Sequence, residues 1–435
     1  MKRRLRWTSI ATVTSQGMPE RLGPYQVLGK LAEGGMAVIY LGRRVTPGDG
    51  PSHVALKVIK EEYAKNREFV DMFVDEARIA AKLDHPSIVK LYDAGREGDR
   101  LYFAMELLTG QSLWHVWEAC RERGVRLKYD LAAWIGARVA EALHHAHELK
   151  DARGVSQELV HRDVNQTNIF LTYDGHVKVI DFGLAKALGR ISRTGAGIVK
   201  GKLAYMSPEQ TVGKPIDRRT DVFALGATLW EVTCDRRLFR GKDDTETLKA
   251  VHEADVPDPT KIVVGYPPHL AQTLLRALER DPDKRFATAQ DLARSLDASS
   301  LEGGRRLSPA SLAEVMRALF ERERARQAAW LAEASAPRDA SGRAVPTMRP
   351  PVTGSYVSMG EAAPSTSELF SPASLSPSPP TEPPPKPPSG AAATTVVAGA
   401  SRPPEPPRRA HPLLVAVVLS VVLAAVGAGL ALLSR

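Results

Sequence analysis

His161-Arg162-Asp163-Val164-Asn165-Gln166-Thr167-Asn168 and, thirteen residues past its last asparagine, Asp181-Phe182-Gly183 form the stretch around which this 435-residue chain is organised. Upstream, short β-like runs alternate with turn-rich segments at residues 25–31, 38–41, 54–59, 88–92 and 101–105, broken by one helical pattern at 67–83. Long helical patterns follow, as at 130–149 and 221–233. Period-2 runs giving way to 3.6-period runs predict an α+β chain, with a small β-rich lobe joined to a larger α-rich one.

Further motifs stand in order around that stretch. Ala32-Glu33-Gly34-Gly35-Met36-Ala37-Val38-Ile39 lies between two strand patterns, and glycine lets backbone amides approach phosphate oxygens without a Cβ in the way. Val54-Ala55-Leu56-Lys57 reads as a strand bearing one lysine, Glu76 lies on the next helix, and Ser207-Pro208-Glu209 closes the set. A glycine-rich turn alone is a weak signal; the ordered series resembles the eukaryotic-type (Hanks-type) protein kinase family. The Gly-Gly-Met turn and Ser207-Pro208-Glu209-Gln210 resemble bacterial serine/threonine kinases in particular.

The resemblance implies a bilobal protein kinase fold over residues 25–297 and transfer of the ATP γ-phosphoryl group to protein hydroxyls. That reaction rests on positioning and charge neutralisation. It implies that amides around Gly34 and Gly35 cover the phosphates, and that Lys57 binds them and pairs with Glu76. Asn168 and Asp181 would hold Mg²⁺, or Mn²⁺, through oxygen ligands. Asp163 would orient the substrate hydroxyl and accept its proton late. Met105 would back the adenine pocket, the backbone of Glu106 and Leu108 would bond the adenine edge, and Leu31, Ile39, Ala55 and Phe170 would sandwich the ring. Glu209 would pair with Arg285, and Asp221 would brace the catalytic loop.

The chain departs from the family pattern at three places. Ala32 and Ala37 stand where the first and third loop glycines are usual. Asn165 stands where serine/threonine kinases carry a lysine, and Lys202 where they carry a threonine facing it. The two changes together suggest a swap, with Lys202 supplying the ammonium and Asn165 a neutral hydrogen-bond partner. Between Leu184 and Leu203 the chain has five basic residues and no acid, so Ser192 and Thr194 are candidate phosphosites able to dock on Arg162. The alternative from a different class is a pseudokinase scaffold that binds nucleotide or partners without efficient transfer.

A net charge of +9 invites a nucleic-acid reading. However, residues 1–24, a flexible basic arm, carry five basic and one acidic side chain, and residues 298–435 carry 14 and 10. Residues 25–297 carry 40 and 39, so the folded segment is nearly neutral and no nucleic-acid partner is expected. The two cysteines, Cys120 and Cys234, form no disulfide framework and read as small buried hydrophobes.

Residues 305–334 read as an amphipathic helical extension, with Ser311 and Glu314 in a capping-box pattern. Its apolar stripe would dock on the preceding domain or serve self-association for trans-autophosphorylation. Residues 335–411 form a Pro/Ser/Ala-rich linker: 18 of the 32 prolines fall between Pro346 and Pro412, and proline denies the backbone its donor. Residues 412–433 are apolar or small throughout, with one hydroxyl at Ser420. Twenty-two such residues span about 33 Å, one bilayer core. Arg408 and Arg409 before the run place the catalytic segment in the cytoplasm, giving a single-pass protein of the cell inner membrane whose partners are the lipid bilayer and protein substrates.

Overall fold

The computed structural model describes residues 18–34, 37–45, 51–65, 67–182, 203–301, 304, 306–336 and 370–372. The smaller lobe is a six-stranded sheet made of β1 (Arg21–Leu22), β2 (Tyr25–Glu33), β3 (Ala37–Arg44), β4 (His53–Ile59), β5 (Leu91–Glu97) and β6 (Arg100–Met105), with short α1 (Glu61–Ala64) and α2 (Arg67–Ala80) between β4 and β5. Every pairing is antiparallel and the order is β1-β2-β3-β4-β6-β5. Alternation of side chains gives the sheet two apolar faces. One gathers Tyr25, Val27, Tyr40, Val54, Leu56 and Tyr102; the other gathers Ala37, Ile59, Leu101 and Phe103 with Phe73 of α2, whose ring stacks on Phe103 at 3.9 Å.

The expected strand at 88–92 is displaced to Leu91–Glu97 for a physical reason. The backbone around Ile88 is engaged by the other lobe: Val89 N donates to Val179 O at 3.0 Å and Val179 N to Ser87 O at 2.8 Å. That parallel bridge ties the lobes together behind the cleft.

The larger lobe follows with β7 (Gly110–Ser112), α3 (Leu113–Glu122), β8 (Val125–Leu127), α4 (Tyr129–His147), β9 (Ile169–Thr172) and β10 (Val177–Val179). Then come α5 (Pro208–Thr211), α6 (Arg219–Cys234), α7 (Asp244–Glu253), α8 (Pro259–Ile262), α9 (Pro268–Ala277) and α10 (Ala289–Leu301). Helices α4 and α6 are apolar nearly all round, which suits helices buried on every side. Cys120 and Cys234 are reduced within this core, and burial pushes both thiols up to about 12, so neither supplies a thiolate at neutral pH.

The last long helix, α11 (Pro309–Ser335), starts differently from its expected cap. Ser308 is the N-cap and Pro309 the first helical residue, a position where its fixed φ and missing N–H cost nothing. Ser311 therefore lies inside the first turn, and Ser311–Glu314 is no capping box. A three-residue strand, β11 (Phe370–Pro372), pairs antiparallel with β8. Among the described residues no helix is long and apolar enough to cross a membrane. The run 412–433 lies outside the described residues, as do 1–17 and nearly all of the proline-rich linker.

Candidate active site

The site is built on the irregular segment between α4 and β9. Its brace is Asp221, fully buried near the start of α6. One carboxylate oxygen accepts from His147 Nε2 at 2.7 Å and His161 N at 2.8 Å; the other accepts from Arg162 N at 2.8 Å. Burial alone would push this carboxyl up. The His147 hydrogen bond, the attraction of the His147 and His161 rings and the Arg162 N–H outweigh it, so Asp221 titrates below the ordinary aspartate range. The bond to Arg162 N holds that residue at φ 68°, a left-handed conformation a non-glycine residue does not keep unaided.

The next residue, Asp163, is gripped by two side-chain amides. Asn165 Nδ2 donates to Asp163 Oδ1 at 3.0 Å and to its carbonyl at 2.9 Å. Asn168 Nδ2 donates to Asp163 Oδ2 at 2.9 Å and to the same carbonyl at 2.8 Å. The Asn165 amide is oriented from behind, its Oδ1 accepting from Thr167 N at 2.9 Å and Thr167 Oγ1 at 2.5 Å. Asn165 thus occupies the lysine position as a neutral donor to Asp163.

Across the cleft, Lys57 Nζ of β4 meets Asp181 Oδ1 at 2.5 Å, with Lys57 only 7% exposed. Asp181 also has positive φ, 62°, and Ile180 N bonds Asn168 O at 3.0 Å, joining the two candidate metal ligands through the backbone. Phe182 packs edge-on to His161, ring centroids 4.5 Å apart. Glu76 lies on α2, but its side chain is outside the described residues, so the expected Lys57–Glu76 pair is too; the described partner of Lys57 is Asp181. The donor chemistry of Asn168 and Asp181 fits a hard divalent cation. The Asn168 nitrogen is committed to Asp163, which turns its oxygen to the other side, and Asp181 adds a carboxylate. Two oxygen donors leave the remaining positions to water and phosphate oxygens, as Mg²⁺ prefers.

The candidate adenine residues fall on the lobe junction. Leu31 is on β2, Ile39 on β3 opposite Lys57, Ala55 on β4 opposite Met105 at the end of β6, and Phe170 on β9. Glu106 N donates to Lys90 O at 2.8 Å, so this hinge residue could meet an adenine edge through its carbonyl. Its carboxylate is held by Lys178 Nζ at 2.8 Å. Gly34 N bonds Ala37 O at 2.9 Å, closing the glycine-rich turn. Gly35, Lys202, Ser192 and Thr194 lie outside the described residues.

Sequence reading found Glu209–Arg285: two guanidinium nitrogens of Arg285 meet the two Glu209 oxygens at 2.8 Å each. Burial raises the Glu209 carboxyl, but the paired guanidinium prevails and leaves it below its usual value. Sequence reading missed a second buried network. Glu231 of α6 accepts from Gln166 Nε2 at 3.0 Å, Tyr205 Oη at 2.7 Å and Arg237 Nη1 at 2.9 Å. It ties the catalytic loop to the segment before α5. Burial keeps the Tyr205 phenol protonated and hence a donor. No motif spacing marks these four residues, because they meet only through the packing of α6.

The protein kinase domain family matches residues 25–296. The tyrosine-protein kinase MasK of Myxococcus xanthus is 40% identical over 290 residues, 66% of this chain and 45% of MasK. The serine/threonine-protein kinase PrkC of Bacillus subtilis is 33% identical over 62% of this chain and 39% of PrkC. The serine/threonine-protein kinase PknL of Mycobacterium tuberculosis is 34% identical over 64% of this chain and 66% of PknL. This chain therefore belongs to the protein kinase family, among its Hanks-type bacterial members. It spans less than two thirds of the length of these relatives.

Proposed function

We propose that the chain transfers the γ-phosphoryl group of Mg-ATP to serine or threonine hydroxyls of proteins, itself included. The observation that carries the reading is an unbroken set of contacts: buried Lys57 meets Asp181, the residue before Asp181 bonds Asn168 through the backbone, and the Asn168 amide grips Asp163. In this reading Lys57 neutralises phosphate charge, Asn168 and Asp181 present oxygens to a divalent cation, and the cation supplies charge neutralisation at the phosphates. Asp163, aimed by two amides, orients the attacking hydroxyl and takes its proton late. Lys202 would supply the ammonium that Asn165 does not. The glycine-rich turn and Leu31, Ile39, Ala55, Met105, Glu106, Leu108 and Phe170 would hold the nucleotide.

Residues 412–433 would anchor the kinase domain to the cytoplasmic face of the inner membrane through the proline-rich linker, with self-association there favouring trans-autophosphorylation at Ser192 and Thr194. The uninterrupted apolar run after Arg408 and Arg409 supports this part.

A second reading, transfer to tyrosine, is favoured by the name of the 40%-identical relative and by Asn165 in the lysine position. Radiolabelled ATP with the full chain, followed by phosphoamino-acid analysis, separates the readings, with Asp163→Asn as the inactive control. Phosphoserine and phosphothreonine support the proposal and phosphotyrosine alone supports the second reading. No label with Mg²⁺ or Mn²⁺ indicates a pseudokinase scaffold.

A further inference from the structure

Helix α11 follows the segment matched by the kinase family, yet it touches both halves of the cleft. Its first part is a conventional docking helix, with Leu312, Val315, Met316, Leu319 and Phe320 buried in the large-lobe core. The backbone leaves helical geometry at Phe320 (φ −133°, ψ 31°). The kink has an identifiable cause: Arg123 at the end of α3 donates to the carbonyls of Ala318 at 3.0 Å and Leu319 at 2.5 Å, replacing intrahelical partners there. Beyond it, residues 321–326 are all exposed, as in a helix crossing solvent between two supports.

Both supports include glycines that the helix requires. At the start, Gly175 in the β9–β10 turn has φ 92°, and a Cβ there would lie 1.8 Å from Pro309 O. That turn joins the strands following Asn168 and preceding Asp181. At the far end, Gly29 of β2 is not in the left-handed region, so its backbone does not ask for glycine. A Cβ at Gly29 would instead lie 2.9 Å from Cζ2 of Trp330. A glycine inside a strand marks close approach, and here the approaching group is an indole. Arg43 of β3 donates to Ser335 O at 3.5 Å, a cation at the helix C-terminus. Gly29 also sits beside a register irregularity in the β2–β3 pairing, two residues before Leu31 and five before Gly34.

We propose that α11 is a strap holding the nucleotide-side strand β2 in register with the β9–β10 hairpin, and that Trp330 is its positioning residue, acting through Gly29. The far contact is small and the crossing segment solvated, so this end can open without unfolding the large lobe. The nucleotide part of the proposal rests on the kinase reading above; the mechanical part does not.

The test uses the full chain and three readouts: affinity for a fluorescent ATP analogue, autophosphorylation rate at saturating ATP, and hydrogen exchange over residues 25–33. Trp330→Ala is expected to weaken nucleotide affinity about 3–10-fold, to change the saturated rate less than about 2-fold, and to speed exchange in 25–33, with Trp330→Phe restoring most of each. Gly29→Ala should do the same in the native background and nothing further in the Trp330→Ala background, the signature of one contact. Unchanged exchange and affinity in Trp330→Ala, or equal harm from Gly29→Ala in both backgrounds, overturns the strap. If the native chain neither binds nucleotide nor transfers phosphate, the kinase reading fails, and exchange over 25–33 alone decides the strap.

Discussion

Replacing Asp221 by asparagine keeps its shape and removes its charge. The carboxylate serves three donors, His147 Nε2, His161 N and Arg162 N, all within 2.8 Å. An asparagine must turn its –NH₂ toward at least one of them. That leaves a buried donor facing a donor, at about 1–3 kcal/mol, and it removes charge assistance from the others. Breaking a fully buried ionic hydrogen-bond centre costs about 3–5 kcal/mol in total. At about 2 °C per kcal/mol for a domain this large, Tm should fall by about 6–10 °C. The same substitution frees Arg162 from its positive φ and lets Asp163 drift, and a misplacement near 1 Å costs about 100-fold in rate. Scanning fluorimetry gives the first number. Autophosphorylation measured well below both midpoints gives the second without contamination by unfolding. The pH dependence has a definite sign. The folded-state pKa is depressed, so the stabilisation is present above the unfolded value near pH 4 and lost as pH falls through the lower folded value. The asparagine variant should lack that share of the acid dependence. A Tm within about 2 °C of the native chain, with transfer within about 2-fold, refutes the brace.

Other outcomes follow from neighbouring geometry. Arg285→Met strands Glu209 in the core and should cost about 3–5 kcal/mol by urea unfolding, with no change in nucleotide affinity of the folded fraction. Thr167→Val removes one of the two bonds that orient the Asn165 amide and should slow transfer about 5-fold with Tm unchanged, since about 1 kcal/mol of positioning is lost at an exposed side chain. Lys202→Met should reduce phosphate transfer at least about 100-fold if that lysine serves the γ-phosphate, and native-rate transfer removes it from the mechanism. Deleting residues 412–433 should move the protein from the membrane to the soluble fraction on ultracentrifugation, and continued sedimentation with membranes rules out that anchor.

Chemistry-bearing residues were legible in the sequence because their spacing is set along the chain. Lys57, the Asp163–Asn168 segment and Asp181 were nominated by the resemblance that their ordered short motifs carry, and each motif is a short run that can be located without knowing the fold. Glu209–Arg285 was legible through the same resemblance. Three things were not legible. The strand expected at 88–92 moved because the backbone around Ile88 pairs with Val179, a partner ninety residues away whose claim on those hydrogen bonds no local propensity records. The Glu231 network was hidden because Gln166, Tyr205 and Arg237 become neighbours only when α6 is buried. The purpose of Gly29 was hidden as well: in sequence it is a glycine in a strand, and only the path of α11 brings Trp330 onto it. Local periodicity pointed to the two lobes, and motif order carried the family resemblance that nominates the candidate site residues. Tertiary packing decided which polar groups meet, because buried donors and acceptors must find partners wherever the fold places them, without regard to distance along the chain.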